Sequence, residues 1–301
     1  MPELLNWDVS GSDLADLDPA NFDFIPNFGF RYIGDGRTVI ISALSITKAG
    51  HSFTDEQLIQ YARLVQKLFD SLRELPTDTY LPTRIFTDLD FRTYDSGYAY
   101  KFCTNETYRR YISQDSFLLS SLERYREMEH QGEPAGDRFE GSSCCAYTIA
   151  DRELTVLTLS GFDTHIYSLA RNLRNAGLMR KKFGPVVLRV RLRPFAQALA
   201  KALARTGGGS AKAETRLVRY ADLKIHRGQL SLRDVEGFLP ELTPRVAKVL
   251  RSHGRLPSIF AKPSRFEDER EVRIAIAAAQ DVANCTVIKG CGLLEYFERI
   301  D

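Results

Sequence analysis

The sequence predicts an α+β protein: a split, mostly antiparallel β-sheet with flanking helices, preceded by an N-terminal α/β extension. Three observations carry that expectation. Short β-rich runs dominate the middle of the chain, helical and strand segments mix without a βα rhythm, and no glycine-rich dinucleotide loop opens a helix. Of 301 residues 44% are hydrophobic and 27% charged, which is enough apolar material for a sizeable core.

Residues 1–26 are rich in Asp, Asn, Pro and Ser and are read as an irregular arm. From Phe28 to Ser45 two β-rich runs flank Gly34-Asp35-Gly36, a turn tripeptide suited to a hairpin. Thr54 and Gln57 have capping-box spacing, and Leu58, Tyr61, Val65, Leu68, Phe69 and Leu72 then recur at helical steps. The punctuated stretch from Pro76 to Pro82 places a boundary between an extension, 1–82, and a main domain, 83–301. Beyond it, strands are expected at Ile85–Thr87, Tyr98–Cys103, Phe117–Leu122, Ala146–Ile149 and Leu154–Leu159, and a short helix at Glu106–Ile112. Thr164–Asn175 is read as a helix stopped by Gly177. In Val186–Arg193, Leu188, Val190 and Leu192 alternate with Arg189, Arg191 and Arg193, as in a strand with one apolar and one basic face. Pro194 then opens a helix with Phe195, Leu199 and Leu203 on its buried stripe. Further strands are expected at Leu217–Ala221, Val272–Ala277 and Cys285–Ile288, and a helix at Thr243–Ser252.

Charge and motifs narrow the function classes. Lys plus Arg total 41 against 39 for Asp plus Glu, so the chain is no general polyanion coat, although a local basic patch remains open. No apolar run approaches the ~20 residues of a spanning helix. With an acidic start and five cysteines, including the adjacent Cys144 and Cys145, the expectation is a cytoplasmic protein with reduced thiols and no membrane partner. The sequence has no phosphate-binding P-loop, no G-x-S-x-G elbow and no C-x-x-C pair, and its five histidines lie in separate segments. No metal is predicted.

The arginines at 189 and 191 suit either a phosphate backbone or a solvated strand face. In Phe266–Ala275, period-2 alternation would put Glu269, Glu271 and Arg273 on one strand face. Two same-face carboxylates suit sugar chemistry, one steadying positive charge while the other orients a nucleophile. They equally suit a charged strand edge that discourages aggregation.

Four pieces together carry a resemblance: Tyr100-Lys101-Phe102; Ser120-Ser121-Leu122 with Tyr125 and Arg126; Asp137-Arg138-Phe139-Glu140-Gly141; and Lys262 with Phe266–Arg273. In order and spacing, across roughly 98–278, the chain resembles a group of uncharacterised bacterial and phage-associated domains. That group is in turn similar in layout to the ADP-ribosyltransferase superfamily. The resemblance implies that Glu271 is the catalytic carboxylate and Glu269 the activating one. Lys101 takes the early basic position beside Tyr100, and Ser120 or Ser121 the second-strand position, in gripping NAD as the substrate. Asp137 and Glu140 belong to a turn over that substrate. The sequence departs from the superfamily pattern in carrying Lys, not Arg or His, at the early basic position, and Ser-Ser-Leu on the second strand.

The function so implied is ADP-ribosyl transfer or NAD cleavage, in a toxin or effector of bacteria–phage conflict with a nucleic-acid or protein acceptor. Two alternatives stay open. One is a metal-dependent nucleic-acid enzyme using Asp137, Glu140, Glu269 and Glu271; the other is a non-catalytic sensor or adaptor of a defence or counter-defence system.

Overall fold

The computed structural model describes residues 24–33, 38–46, 83–122, 142–149, 152–159, 164–207, 209–230, 256–278 and 285–301, with a few single positions besides. The chain forms two compact units, each assembled from three stretches: Met1–Asp90, Gly141–Ser160 and Ala221–Ala261, and then Phe91–Glu140, Gly161–Tyr220 and Lys262–Asp301. The architecture is α+β, with mostly antiparallel sheets and few helices.

The first unit holds a six-stranded sheet. Strands β1 (Phe24–Ile33) and β2 (Thr38–Ile46) pair antiparallel as the expected hairpin. Strand β3 is Thr83–Phe86. Strands β6 (Ser142–Ile149) and β7 (Arg152–Leu159) pair with each other, β7 joins β2, and β12 (Leu223–Leu230) lies parallel to both β6 and β3. The helices expected at 54–72 and 243–252 lie, for the most part, outside the described residues, as do Gly34–Gly36 and the Asp137–Gly141 turn.

The second unit is built on an all-antiparallel sheet ordered β10-β14-β8-β4-β9-β16. Its strands are β4 (Tyr98–Cys103), β8 (Thr164–Ala170), β9 (Val186–Arg191), β10 (Ala211–Leu217), β14 (Glu271–Ala278) and β16 (Phe297–Arg299). Strands β5 (Ser116–Ser121) and β15 (Cys285–Lys289) form a ribbon that joins at β8. The two-residue strands β11 (Arg219–Tyr220) and β13 (Ala261–Lys262) pair with each other. One edge of β8 runs fully along β14. Its other edge is divided: His165 and Ile166 pair with β5, whereas Ala170 pairs with Tyr100 of β4. Between them, among the described residues, Tyr167–Leu169 have no strand partner on that edge.

Among the described residues, α1 (Asn105–Arg110), α2 (Ala176–Phe183) and α3 (Leu192–Gly207) flank the sheet. On α3, Leu192, Phe195, Ala196, Leu199, Ala200 and Leu203 recur at three- and four-residue steps and are buried. They pack on Val272, Ile274 and Ile276 of β14 and on Leu188 and Val190 of β9. Phe195 sits at the centre, with ring centroids 5.3 Å from Tyr167 and 4.8 Å from Phe297, both edge-on.

Two expected elements are corrected. Thr164–Asn175 is not a helix: Thr164–Ala170 is the central strand β8, and α2 begins at Ala176, running through the glycine expected to stop it. Strand β8 is buried on both faces, so its apolar residues show no alternation, and the β-branched Thr164 and Ile166 suit the pleat. Within the strand expected at 217–221, Arg219–Tyr220 forms β11, but the longer strand lies just before it at Ala211–Leu217, where pairing with β14 outweighs a half-polar sequence.

Asp115 closes the turn before β5. It adopts the left-handed conformation, and its carboxylate accepts from Gly292 N at 2.6 Å and Leu294 N at 2.8 Å. Asp115→Ala strands both donors, and a loss of about 1–3 kcal/mol is expected in urea unfolding. His165 is buried on β8, its Nε2 2.8 Å from Thr286 Oγ1 and its Nδ1 without a partner. Burial lowers its pKa to about 4. Protonation therefore favours the unfolded chain, so the stability His165 confers is complete above about pH 6.5 and is lost as pH falls through about 4. A His165→Gln variant is expected to show a flatter melting temperature across that window.

Candidate functional site

Glu269 and Glu271 meet through a break in the backbone pattern. Ser264–Glu269 forms a 3-10 turn, Arg270 is left-handed at φ 44°, and β14 begins at Glu271. This corrects the single strand face expected for Glu269, Glu271 and Arg273: Glu269 belongs to the turn, and only Glu271 and Arg273 share the strand. One ammonium still gathers both carboxylates. Lys262 Nζ donates to Glu269 Oε2 at 3.2 Å and to Glu271 Oε2 at 3.0 Å.

Glu271 is the more enclosed of the two. Its Oε1 accepts from Ser168 Oγ at 2.6 Å and Arg273 Nε at 2.9 Å, and its backbone N donates to Tyr220 Oη at 2.8 Å. Burial alone would raise its pKa, but Arg273 and Lys262 outweigh burial and hold the carboxyl well below the usual range. The hydroxyl of Tyr125 hydrogen-bonds Ser168, and burial raises its pKa, with Glu271 adding to the rise. Lys182 Nζ donates to Glu269 Oε1 at 2.5 Å. The Phe266 ring backs these cations, its centroid 4.3 Å from Lys262 Nζ and 5.0 Å from Lys182 Nζ.

Lys101 lies on β4 beside the edge of β8. Ala99 and Cys103, which share its face of β4, belong to the core against α3. The Lys101 ammonium lies 4.7 Å from the Tyr167 ring centroid and donates to Ser168 O at 3.1 Å, on the stretch of β8 that lacks a strand partner on that edge. Burial lowers its pKa, opposed by the weaker pull of Cys103, Glu271 and Glu269.

These groups border one small cavity of about 60 Å³. Lys101, Ser168, Glu269 and Glu271 supply its polar wall, and Phe102, Leu169, Met179 and Phe183 are among its apolar lining. Tyr100 lines it as well. Ser120 and Ser121 are not among the lining residues: they sit on β5, where Ser121 Oγ accepts from Arg124 N at 3.1 Å. Arg189 is paired with Glu298 and stacked on Tyr98, and Arg191 donates to Glu295 O at 2.8 Å. Asp137 and Glu140 lie outside the described residues.

Ser168, Lys182 and Arg273 were not singled out as site residues by the sequence. Ser168 lies inside a segment that reads as helical, whereas the approach of Lys182 to Glu269 follows only from α2 beginning after Asn175. Arg273 was visible as the third member of the alternation and reads at first as a surface charge, yet it is fully buried.

Among the described residues no three His, Cys, Asp or Glu side chains converge as metal ligands. Lys262 Nζ occupies the position between Glu269 and Glu271 that a bridging divalent ion would take. No helix among those residues is long and apolar enough to cross a membrane. No family model, curated protein or solved structure matches the chain.

Proposed function

We propose that this chain is an NAD-cleaving enzyme of the ADP-ribosyltransferase type, with its reaction centre at the cavity between β4, β8 and β14. The observation that carries this reading is that Lys101, Glu269 and Glu271, drawn from segments about 170 residues apart, border a single cavity.

Breaking the bond between nicotinamide and ribose builds positive charge on the sugar, and a fixed carboxylate beside the sugar lowers that barrier. Glu271 is fixed by four partners and stays ionised. Glu269, on the less buried side, orients the attacking nucleophile, and Lys101 donates to sugar or phosphate oxygens from the opposite wall.

The test is release of nicotinamide from NAD by the purified full chain, with melting temperature followed alongside. NAD at about 100 times its dissociation constant adds about 2.7 kcal/mol. Release together with stabilisation supports the reading, and absence of both removes it.

One specific observation favours a second reading. Lys262 and Arg273 already neutralise Glu271, which weakens its hold on a developing cation. Under that reading the cavity belongs to a non-catalytic sensor, and stabilisation by NAD occurs without release.

A further inference from the structure

Three cationic side chains, Lys182, Lys262 and Arg273, already answer the two carboxylates of the cavity. Lys101 is left over. Among the described residues it forms no ion pair; the partners of its nitrogen are a neutral backbone oxygen, Ser168 O at 3.1 Å, and the face of Tyr167 at 4.7 Å. Neither requires the amine to be charged. Its stem runs beside core residues, the residue lines a largely apolar cavity, and it keeps partial contact with solvent, so a small molecule can reach it. A lysine amine in an apolar enclosure without a counter-ion loses its proton more readily than a surface lysine, and the unprotonated amine is the nucleophile.

We propose that Lys101 is a carbonyl-reactive amine that condenses with small aldehydes or ketones entering the cavity. The nitrogen lone pair attacks the carbonyl carbon, one N–H proton passes to the carbonyl oxygen, and the resulting carbinolamine loses water to give an imine. No oxidant or reductant is consumed. Protonation of the imine restores a positive charge on the nitrogen, facing Glu271 and Glu269 across the cavity, while Lys182 and Lys262 limit how much of that field it feels. Cys103, on the same strand face, and the Tyr167 hydroxyl are the other titratable groups beside it. The proposal uses the same cavity as the preceding section but does not depend on NAD cleavage, and its test contains no NAD.

The folded full chain is treated with propanal and cyanoborohydride, which traps any imine as a stable propyl-lysine, and each lysine is followed by peptide mass mapping over time. Lys101 is expected to be labelled several-fold faster than the exposed Lys181, Lys201 and Lys289. In denaturant that preference disappears, because all four become ordinary solvated amines. A Lys101→Arg variant loses the fast adduct and keeps the slow ones. Labelling of Lys101 at or below the rate of the exposed lysines, or an equal preference in denaturant, overturns the proposal from the wild-type chain alone, whether or not the variant folds.

Discussion

Replacing Glu271 by Gln is expected to lower unfolding stability by about 3–5 kcal/mol, the cost of removing one partner from a buried ion pair. Arg273 is fully buried and Lys262 is 4% exposed, so the Glu271 charge is removed beside two buried cations where water cannot replace it, although Lys262 keeps its pairing with Glu269. The amide retains the shape and one accepting oxygen but carries no charge. Under the proposed function the same change lowers nicotinamide release by about 10²–10³-fold. The two effects separate experimentally: a melt measures the first, and release assayed well below the variant's melting temperature measures the second. In acid, the wild-type carboxyl, held well below its ordinary 4.5, contributes stability that is complete above pH 4.5 and is lost as pH falls toward the depressed value. The Gln variant lacks that term, so the gap between the two proteins narrows as the solution is acidified.

The second large effect is expected at Gly184. This residue ends α2 at φ +121°, and a Cβ built there would lie 2.5 Å from Cys103 C, Cys103 O and Thr104 N. All three are backbone atoms, so no side chain can swing aside. Gly184→Ala is expected to cost about 3 kcal/mol or more, from backbone strain and overpacking together. The site is affected too, because α2 brings Met179 and Phe183 to the cavity and Lys182 to Glu269. Chemical denaturation measures the first effect. The second is read as a weaker response of melting temperature to NAD than in wild type.

How much of this is legible in the sequence depends on whether polar and apolar residues alternate along an element. Strands β4 and β9 and helix α3 lie close to their expected bounds because their patterns separate a more exposed face from a buried one; β14 does so although both its faces are buried, because Glu271 and Arg273 alternate with Val272, Ile274 and Ile276. Strand β8 reads otherwise because both its faces are buried, so polar and apolar residues mix along Thr164–Ala170 without period-2 alternation. The carboxylate pair at 269 and 271 was visible as a spacing, but not the left-handed Arg270 between them nor the Lys262 ammonium that joins them. Those depend on a turn and on tertiary packing. Arg189 and Arg191 were read correctly as the basic face of a strand, and their carboxylate and carbonyl partners come from the segment around 295–298, which local pattern does not reach.

Strand β3 ends at Phe86 and finds its hydrogen-bonded neighbour in β12, which begins at Leu223. During synthesis that neighbour emerges from the ribosome roughly 140 residues later, on the order of 10 s at common elongation rates. For that interval β3 is a nascent segment awaiting a distant partner. Holding factors that shield nascent chains, or a slower temperature of expression, should therefore raise the yield of folded protein more than stabilising the early hairpin would.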